Sequence, residues 1–416
     1  MAEAHLPSVD VPPERFLARH PIFLPNGQLY AYELLFRSGP ENCFEHYDGD
    51  QATAEVLHTS LNLFDLQSVA GGRKTFINMT RQHLVDKTVE LLPPNQVVLE
   101  ILEGVEPDDE VLDACRKFKE QGYVLALDDF VLDAHYDGFL KLADILKVDF
   151  ALTKGDARRE VAERFADIQI LAEKVETHED VEEARDLGYD FLQGYFFCKP
   201  QVLKHRDIQP YKVNYLRFLE EINRPEPDVA KVEAIVKQEV SLSVRLLRFM
   251  NSSYFALRRP VKSIQWALRM LGPGTVARWG TLMSIAGLAS DKPSELIVLA
   301  LVRARFCELM APHVGLKRQA SDLFLTGMLS PLDAILDRPM EELVTELPVA
   351  DEIKDTLTNH KTDFAPVLQL AKLLERGEWS PVADEATQLN VSPVELWKQH
   401  REALTWAVAI HDTAEL

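Results

Sequence analysis

The sequence predicts a modified α/β barrel of the TIM type with one antiparallel strand, followed by an all-α region. Three observations predict it. Short β-rich runs alternate with amphipathic stretches from about residue 16 to 200; a Pro25-Asn26-Gly27 turn separates the first two runs; and strand signals fade after Lys199-Pro200. Strands alternating with helices imply a parallel sheet, and this many repeats favour closure into a barrel. The early turn is a hairpin signal, so the first two strands are expected to run antiparallel.

In chain order, the predicted strands after the opening PIFLPNG are Tyr30–Phe36, Thr75–Asn78, Val97–Ile101, Val124–Asp128, Ile145–Val148, Ile168–Ala172 and Phe191–Phe197. Between them, QATAEVLHTSLNLFDL and DEVLDACRKFKEQG carry apolar residues at helical spacing. Beyond Pro210 the chain reads as helices, with breaks at Arg258-Arg259-Pro260, Gly272-Pro273-Gly274 and Asp337-Arg338-Pro339. The expected division is a tail over 1–15, a barrel over 16–203 and a helical domain over 204–416, packed closely because no low-complexity linker intervenes.

Composition narrows the function. Hydrophobic residues make up 46% and charged residues 27%, a globular balance. Lys+Arg total 45 against Asp+Glu 66, giving a net charge of -21. So acidic a surface repels nucleic acid and anionic lipid, which argues against DNA and membrane partners. Cys43, Cys115, Cys198 and Cys307 form no CxxC pair, and no apolar run approaches the ~20 residues of a membrane span. A soluble cytoplasmic protein is expected.

The polar residues carry the chemistry. Glu33, Asn78, Glu100, Asp128, Asp129, Lys147, Glu173 and Gln193 each fall near the carboxyl end of a predicted strand. In a barrel those ends converge on one face, where active sites lie. One acidic residue at a strand end is more often a helix cap or a solvated charge. Eight polar positions on seven successive strands are hard to assign to coincidence. Five carboxylates meeting there need a cation, and oxygen-rich clusters suit Mg²⁺ or Mn²⁺. Adjacent Asp128 and Asp129 could bridge two metals about 4 Å apart, as in-line displacement at phosphorus uses. The residues alone therefore point to metal-assisted phosphodiester hydrolysis.

The runs YELLFR, FIN, LEILE, ALDDF, LKVD, AEKVET and FLQGYFFCKP resemble the EAL family of cyclic di-GMP phosphodiesterases over roughly residues 16–200. The resemblance implies a two-metal Mg²⁺ or Mn²⁺ site that opens cyclic di-GMP to pGpG. Its metal ligands would be Glu33, Asn78, Glu100, Asp128, Asp129 and Glu173. Lys147 would orient the attacking water, Glu173 would help deprotonate it, and Gln193 would support the site. Arg37 matches an arginine that contacts ligand phosphate, and Glu103 and Glu176 match glutamates that stand behind the ligands. The sequence departs from the family at Leu34, where the signature has Ala. It departs again at Val131-Leu132, where the family has a glycine-containing turn that Val and Leu cannot make cheaply. In the family that loop couples dimerisation to metal binding, so a homodimer is a further expectation on which it bears.

The stretch LSVRLLRFMNSSYFALRRPVKSIQWALRMLGPGTVARW resembles the HDOD family, helical relatives of HD and HD-GYP phosphohydrolases, over about residues 205–400. Its marks are Asn251-Ser252, Val261-Lys262-Ser263-Ile264 and Leu271-Gly272. Ser330-Pro331 stand where His-Asp would hold metal in the hydrolases, and His205, His313, His360, His400 and His411 show no ligand spacing. The resemblance implies a non-catalytic interaction module for an unidentified signalling protein. Tyr254-Phe255 and Arg258-Arg259-Pro260 read equally as a contact surface or as packing and a solvated turn. Trp266, Trp279, Trp379, Trp397 and Trp406 read as core. Three functions stay open: a cyclic di-GMP phosphodiesterase, a receptor without turnover, and a scaffold acting only through protein contacts.

Overall fold

The computed structural model describes residues 16–37, 70–86, 88–133, 136–199, 210–224, 227–238, 240–251, 261, 263–347 and 349–414. Eight strands close into a barrel in sequence order: β1 (Phe16–Phe23), β2 (Leu29–Arg37), β3 (Lys74–Met79), β4 (Val97–Ile101), β5 (Val124–Leu127), β6 (Ile145–Asp149), β7 (Gln169–Glu173) and β8 (Phe191–Gln193). β1 is antiparallel to both neighbours, β2 and β8, and the remaining pairs are parallel. The Pro25-Asn26-Gly27 turn makes that hairpin, with Gly27 at a φ of 84° and Asn26 Oδ1 accepting from the Gln28 amide at 3.0 Å. The segment 51–66, expected as a helix, lies outside the described residues.

Strand residues alternate between two environments. One set fills the barrel interior: Ile22, Ala31, Phe76, Val98, Ala126, Ile145, Leu171 and Phe191, all buried. The other set packs outward against the surrounding helices. The crossover helix Asp109–Glu120 is pinned at both its start and its inner face: Asp108 caps it by accepting from the Val111 amide at 3.0 Å, and Val111, Cys115 and Phe118 are buried.

The expected last strand, Phe191–Phe197, stops at Gln193. Gly194 has a φ of 148°, and Tyr195–Cys198 form a 3₁₀ turn. The aromatic run reads as strand by residue type, but Phe196 and Phe197 turn back onto Phe23, with ring centroids 5.5 and 5.1 Å away.

From Pro210 onward the described elements are helices, and no helix among the described residues is long and apolar enough to cross a membrane. The HDOD-like residues have local structural work. Asn251 donates to the Val261 carbonyl at 2.9 Å and accepts from the Val261 amide at 2.6 Å, and Ser263 caps the helix Ile264–Leu288. That helix kinks at Gly272, with a φ of 73°, where a break was expected. A left-handed Asp337, with a φ of 53°, ends the helix Leu332–Leu336 before the break at Pro339. Residues 252–260, with Tyr254-Phe255 and Arg258-Arg259-Pro260, lie outside the described residues, as does His205. Trp279 is buried as expected, but Trp266 is 47% exposed. Its helix buries Ala267, Leu268 and Leu271, which leaves Trp266 and Met270, one turn apart, on the opposite face.

Candidate functional site

The site follows from the period of a strand. Moving two residues beyond the apolar interior layer toward the carboxyl end gives Glu33, Asn78, Glu100, Asp128, Lys147, Glu173 and Gln193, each on the interior side of its strand. β1 runs the other way, so its corresponding residue is two positions earlier: His20, opposite Glu33 in the β1–β2 register. An apolar floor thus carries a polar layer.

Lys147 is the centre of that layer. Its side chain is 1% exposed and its Nζ lies 2.8 Å from Asp128 Oδ1, 2.7 Å from Glu173 Oε1 and 3.7 Å from Glu33 Oε1. It is also ion-paired with Glu100. Gln193 donates to Glu33 Oε2 at 2.5 Å. Four carboxylates around one ammonium cannot all be neutralised by it. Burial, with the charges of Glu173 and Glu33 beside it, pushes the Asp128 carboxyl up to about 9. Burial likewise raises Glu173 against the pull of Lys147. At Glu33 burial is outweighed by Lys147, His20 and the Gln193 amide, and the carboxyl is held below its ordinary value.

One carboxylate oxygen from each of Glu33, Glu100 and Glu173 lies within 4.8 Å of the other two, and Glu103, Asp128 and Asp129 form a second such group. Asn78 Oδ1, Glu100 Oε2 and Gln193 Oε1 are buried without a hydrogen-bond partner among the described residues, and Asp129 Oδ1 has the Lys174 ammonium at 3.7 Å. All four are acceptors. A set of unsatisfied, buried, hard oxygens is the donor chemistry that a divalent Mg²⁺ or Mn²⁺ takes. The residues therefore fit the expected metals.

Asp129 and Lys174 sit in the left-handed region, with φ of 41° and 54°. Lys174 is ion-paired with Asp149 and lies 3.7 Å from Asp129, so it bridges the β6 and β7 ends to the second carboxylate group. The loop after Asp129 does not take the course its composition suggested. Neither Val131 nor Leu132 has a positive φ; Phe130 is buried, and Val131 and Leu132 stand exposed at 51% and 37%. The unusual backbone falls on Asp129 instead.

Of the expected site residues, Glu33, Asn78, Glu100, Asp128, Lys147, Glu173 and Gln193 share the interior polar layer, and Asp129 adjoins it. Glu103 lies in the second carboxylate group with Asp128 and Asp129. Glu176 is exposed and pairs with Lys199 at 3.0 Å. Arg37 ends β2, and its side chain lies outside what is described. His20 and Lys174 were missed. His20 was legible from the hairpin, by counting backward on the reversed strand.

In the helical region, Ser330 accepts from Arg303 Nη1 at 3.0 Å and donates to the Gly327 carbonyl at 2.8 Å. Arg303 makes a two-point pair with Glu375, at 2.8 and 3.0 Å. His313 meets Glu395 at 3.3 Å, and His360 is exposed beside Asp355.

The model of the EAL domain matches residues 49–200, and that of the HDOD domain matches 209–347. The first begins after β2, although β1 and β2 close the barrel and β2 carries Glu33. The chain is 36% identical over 402 residues to the cyclic di-GMP phosphodiesterase CdgJ of Vibrio cholerae serotype O1, covering 95% of this chain and 93% of that protein. It is 34% identical over 407 residues to the uncharacterized protein YuxH of Bacillus subtilis, covering 95% and 99%. Among solved structures, an EAL domain protein from Listeria monocytogenes is 22% identical with a TM-score of 0.37, covering 44% of this chain and 87% of that one.

Proposed function

The chain belongs to the family that joins an EAL domain to an HDOD domain, and on that premise we propose that its barrel binds cyclic di-GMP and hydrolyses it to pGpG with Mg²⁺ or Mn²⁺. The observation that carries this reading is the pair of carboxylate groups joined through Asp128 and Lys147 at the carboxyl ends of the strands. Glu33, Asn78, Glu100 and Glu173 would hold one ion, and Asp128, Asp129 and Glu103 the other. Bound there, the ions would supply charge to the phosphoryl oxygens and acidify a water.

The protein's own groups do the rest. Glu173, whose carboxyl burial raises above its ordinary value, is a stronger base than a free carboxylate and suits the acceptance of a proton from an attacking water. Lys147, held among carboxylates, orients that water by donation. Gln193 fixes Glu33, and the resemblance assigns substrate phosphate to Arg37. The barrel is taken as 16–203 and the helical domain as 204–416, the latter acting in the cytoplasm as a docking module for a signalling protein.

The test is chromatographic resolution of pGpG from cyclic di-GMP, with Mn²⁺, Mg²⁺ or chelator. Metal-dependent pGpG supports the reading. Binding without product would make the protein a receptor, and neither would make it a scaffold.

A pH effect follows from Asp128. Its carboxyl is protonated at neutral pH in the metal-free protein and must ionise to take a metal. Titrating Mn²⁺ at about neutral pH should therefore release protons, and the apparent affinity should climb toward about pH 9. Calorimetry in two buffers of different ionisation enthalpy measures the release; a buffer-independent heat would contradict it.

A further inference from the structure

The helical domain reaches the barrel wall that carries Glu33. Tyr32 adjoins Glu33 on β2 and so points the opposite way, out of the barrel. Its hydroxyl donates to Glu295 Oε2 at 2.5 Å, and Glu295 lies in the first turn of the helix Ser294–Met310. Arg19, on β1, lies 3.6 Å from Glu295 Oε1, with its guanidinium carbon 4.5 Å from the Tyr32 ring centre. The three residues are 3%, 5% and 8% exposed, in the order Tyr32, Glu295, Arg19.

A second tie follows β8. Tyr195, two residues after Gln193, donates to the Glu375 carbonyl at 2.8 Å, at the end of the helix Ala365–Arg376. The Glu375 carboxylate is held by Arg303, which lies on the same helix as Glu295. Between the ties is a cavity of about 40 Å³ bordered by Arg19, Pro21, Tyr195, Glu295, Glu375 and His400. Buried polar groups of this kind tolerate only the geometry that satisfies them, since an unpaired one is costly.

We propose that Glu295 is a positioning residue for the barrel's site, acting through Tyr32 on the adjoining Glu33, so that docking of the helical domain sets how tightly the barrel grips divalent metal. The Tyr195–Glu375 tie steadies the segment that bears Gln193 in the same way. The proposal rests on the metal-dependent reading of the barrel, and its test separates the two.

Tyr32→Phe, Glu295→Ala, their double variant and Glu295→Gln are compared with the surface change Glu402→Gln in the full chain. Two quantities are read: Mn²⁺ affinity, and amide exchange in peptides covering β2 and β4. Tyr32→Phe and Glu295→Ala should each weaken Mn²⁺ binding about tenfold, and the double variant should be little worse than either. Exchange should quicken in β2 but not β4. Glu295→Gln should recover part of the loss, because its amide oxygen still accepts from Tyr32. Tyr32→Phe keeps the test open should Glu295→Ala not fold. A lowered melting temperature with unchanged Mn²⁺ affinity and unchanged β2 exchange would reduce the tie to a structural contact and overturn the proposal. If the wild-type protein binds no Mn²⁺, the functional reading fails, and β2 exchange alone then decides whether Glu295 holds the strand.

Discussion

Lys147→Met should leave metal-free protein destabilised by about 3–5 kcal/mol, because it removes the cation that, among the described residues, is shared by three buried carboxylates and the half-buried Asp128. The loss should depend on pH with a definite sign. A carboxyl whose folded-state pKa lies above its unfolded value contributes stability that is full below the unfolded value and lost as pH rises through the folded one. Asp128 and Glu173 are both raised by burial, and removing the ammonium takes away an opposing charge at Glu173. The gap in unfolding midpoint between variant and wild type should therefore widen from mildly acidic to mildly alkaline solution. Mn²⁺ should restore more stability to the variant than to wild type, since it replaces the missing cation. On the proposed phosphodiesterase reading, Mn²⁺ should not restore turnover, because loss of the group assigned there to orient the water should cost at least about a hundredfold in rate. Denaturation across pH, with and without Mn²⁺, measures the first part and the pGpG assay the second. Equal stability at all pH values would show that Lys147 does not balance the cluster.

Gly194→Ala should be as damaging, for a steric reason. A Cβ on Gly194 would fall 2.1 Å from the Val175 carbonyl oxygen and 2.5 Å from its nitrogen, and the φ of 148° is itself one that side chains rarely adopt. Backbone, not a flexible side chain, stands in the way. The Val175 amide is also the donor to the Gln193 carbonyl at 3.0 Å, and its carbonyl accepts from Phe196 at 3.2 Å. Relieving the clash must pull Gln193 from Glu33 or shift the segment after Glu173. A loss of about 3 kcal/mol or more is expected, together with weakened metal binding. Thermal unfolding and Mn²⁺ titration check it. A variant matching wild type in both would mean that the two segments can separate without disturbing the polar layer.

Much of this was legible from residue spacing. Val97–Ile101 appears with the predicted bounds because three apolar residues lead into Glu100 and Ile101 resumes the outward-facing apolar set. The site was readable because barrel strands put every second residue inside, so a polar residue just past an apolar run must enter the mouth. The rule misses His20, where reversal of β1 puts the polar residue before the run. It also overextends β8, where residue preference favours a strand but Gly194 and the packing of Phe196 and Phe197 onto Phe23 turn the chain. Trp266 misled because size suggests burial, whereas its helical position decides exposure. No local pattern announces the Tyr32–Glu295 bond. Its partners lie 263 residues apart, and only the completed packing brings them together.

The reversed course of β1 also decides where a fusion would enter. Phe16 pairs with Arg37, the last residue of β2, so the polypeptide joins the barrel at the rim where the other strands deliver the side chains of the polar layer. A segment joined directly to Phe16 would enter beside the mouth of the polar layer. An input module fused there could reach the polar layer without passing a signal through the barrel's core.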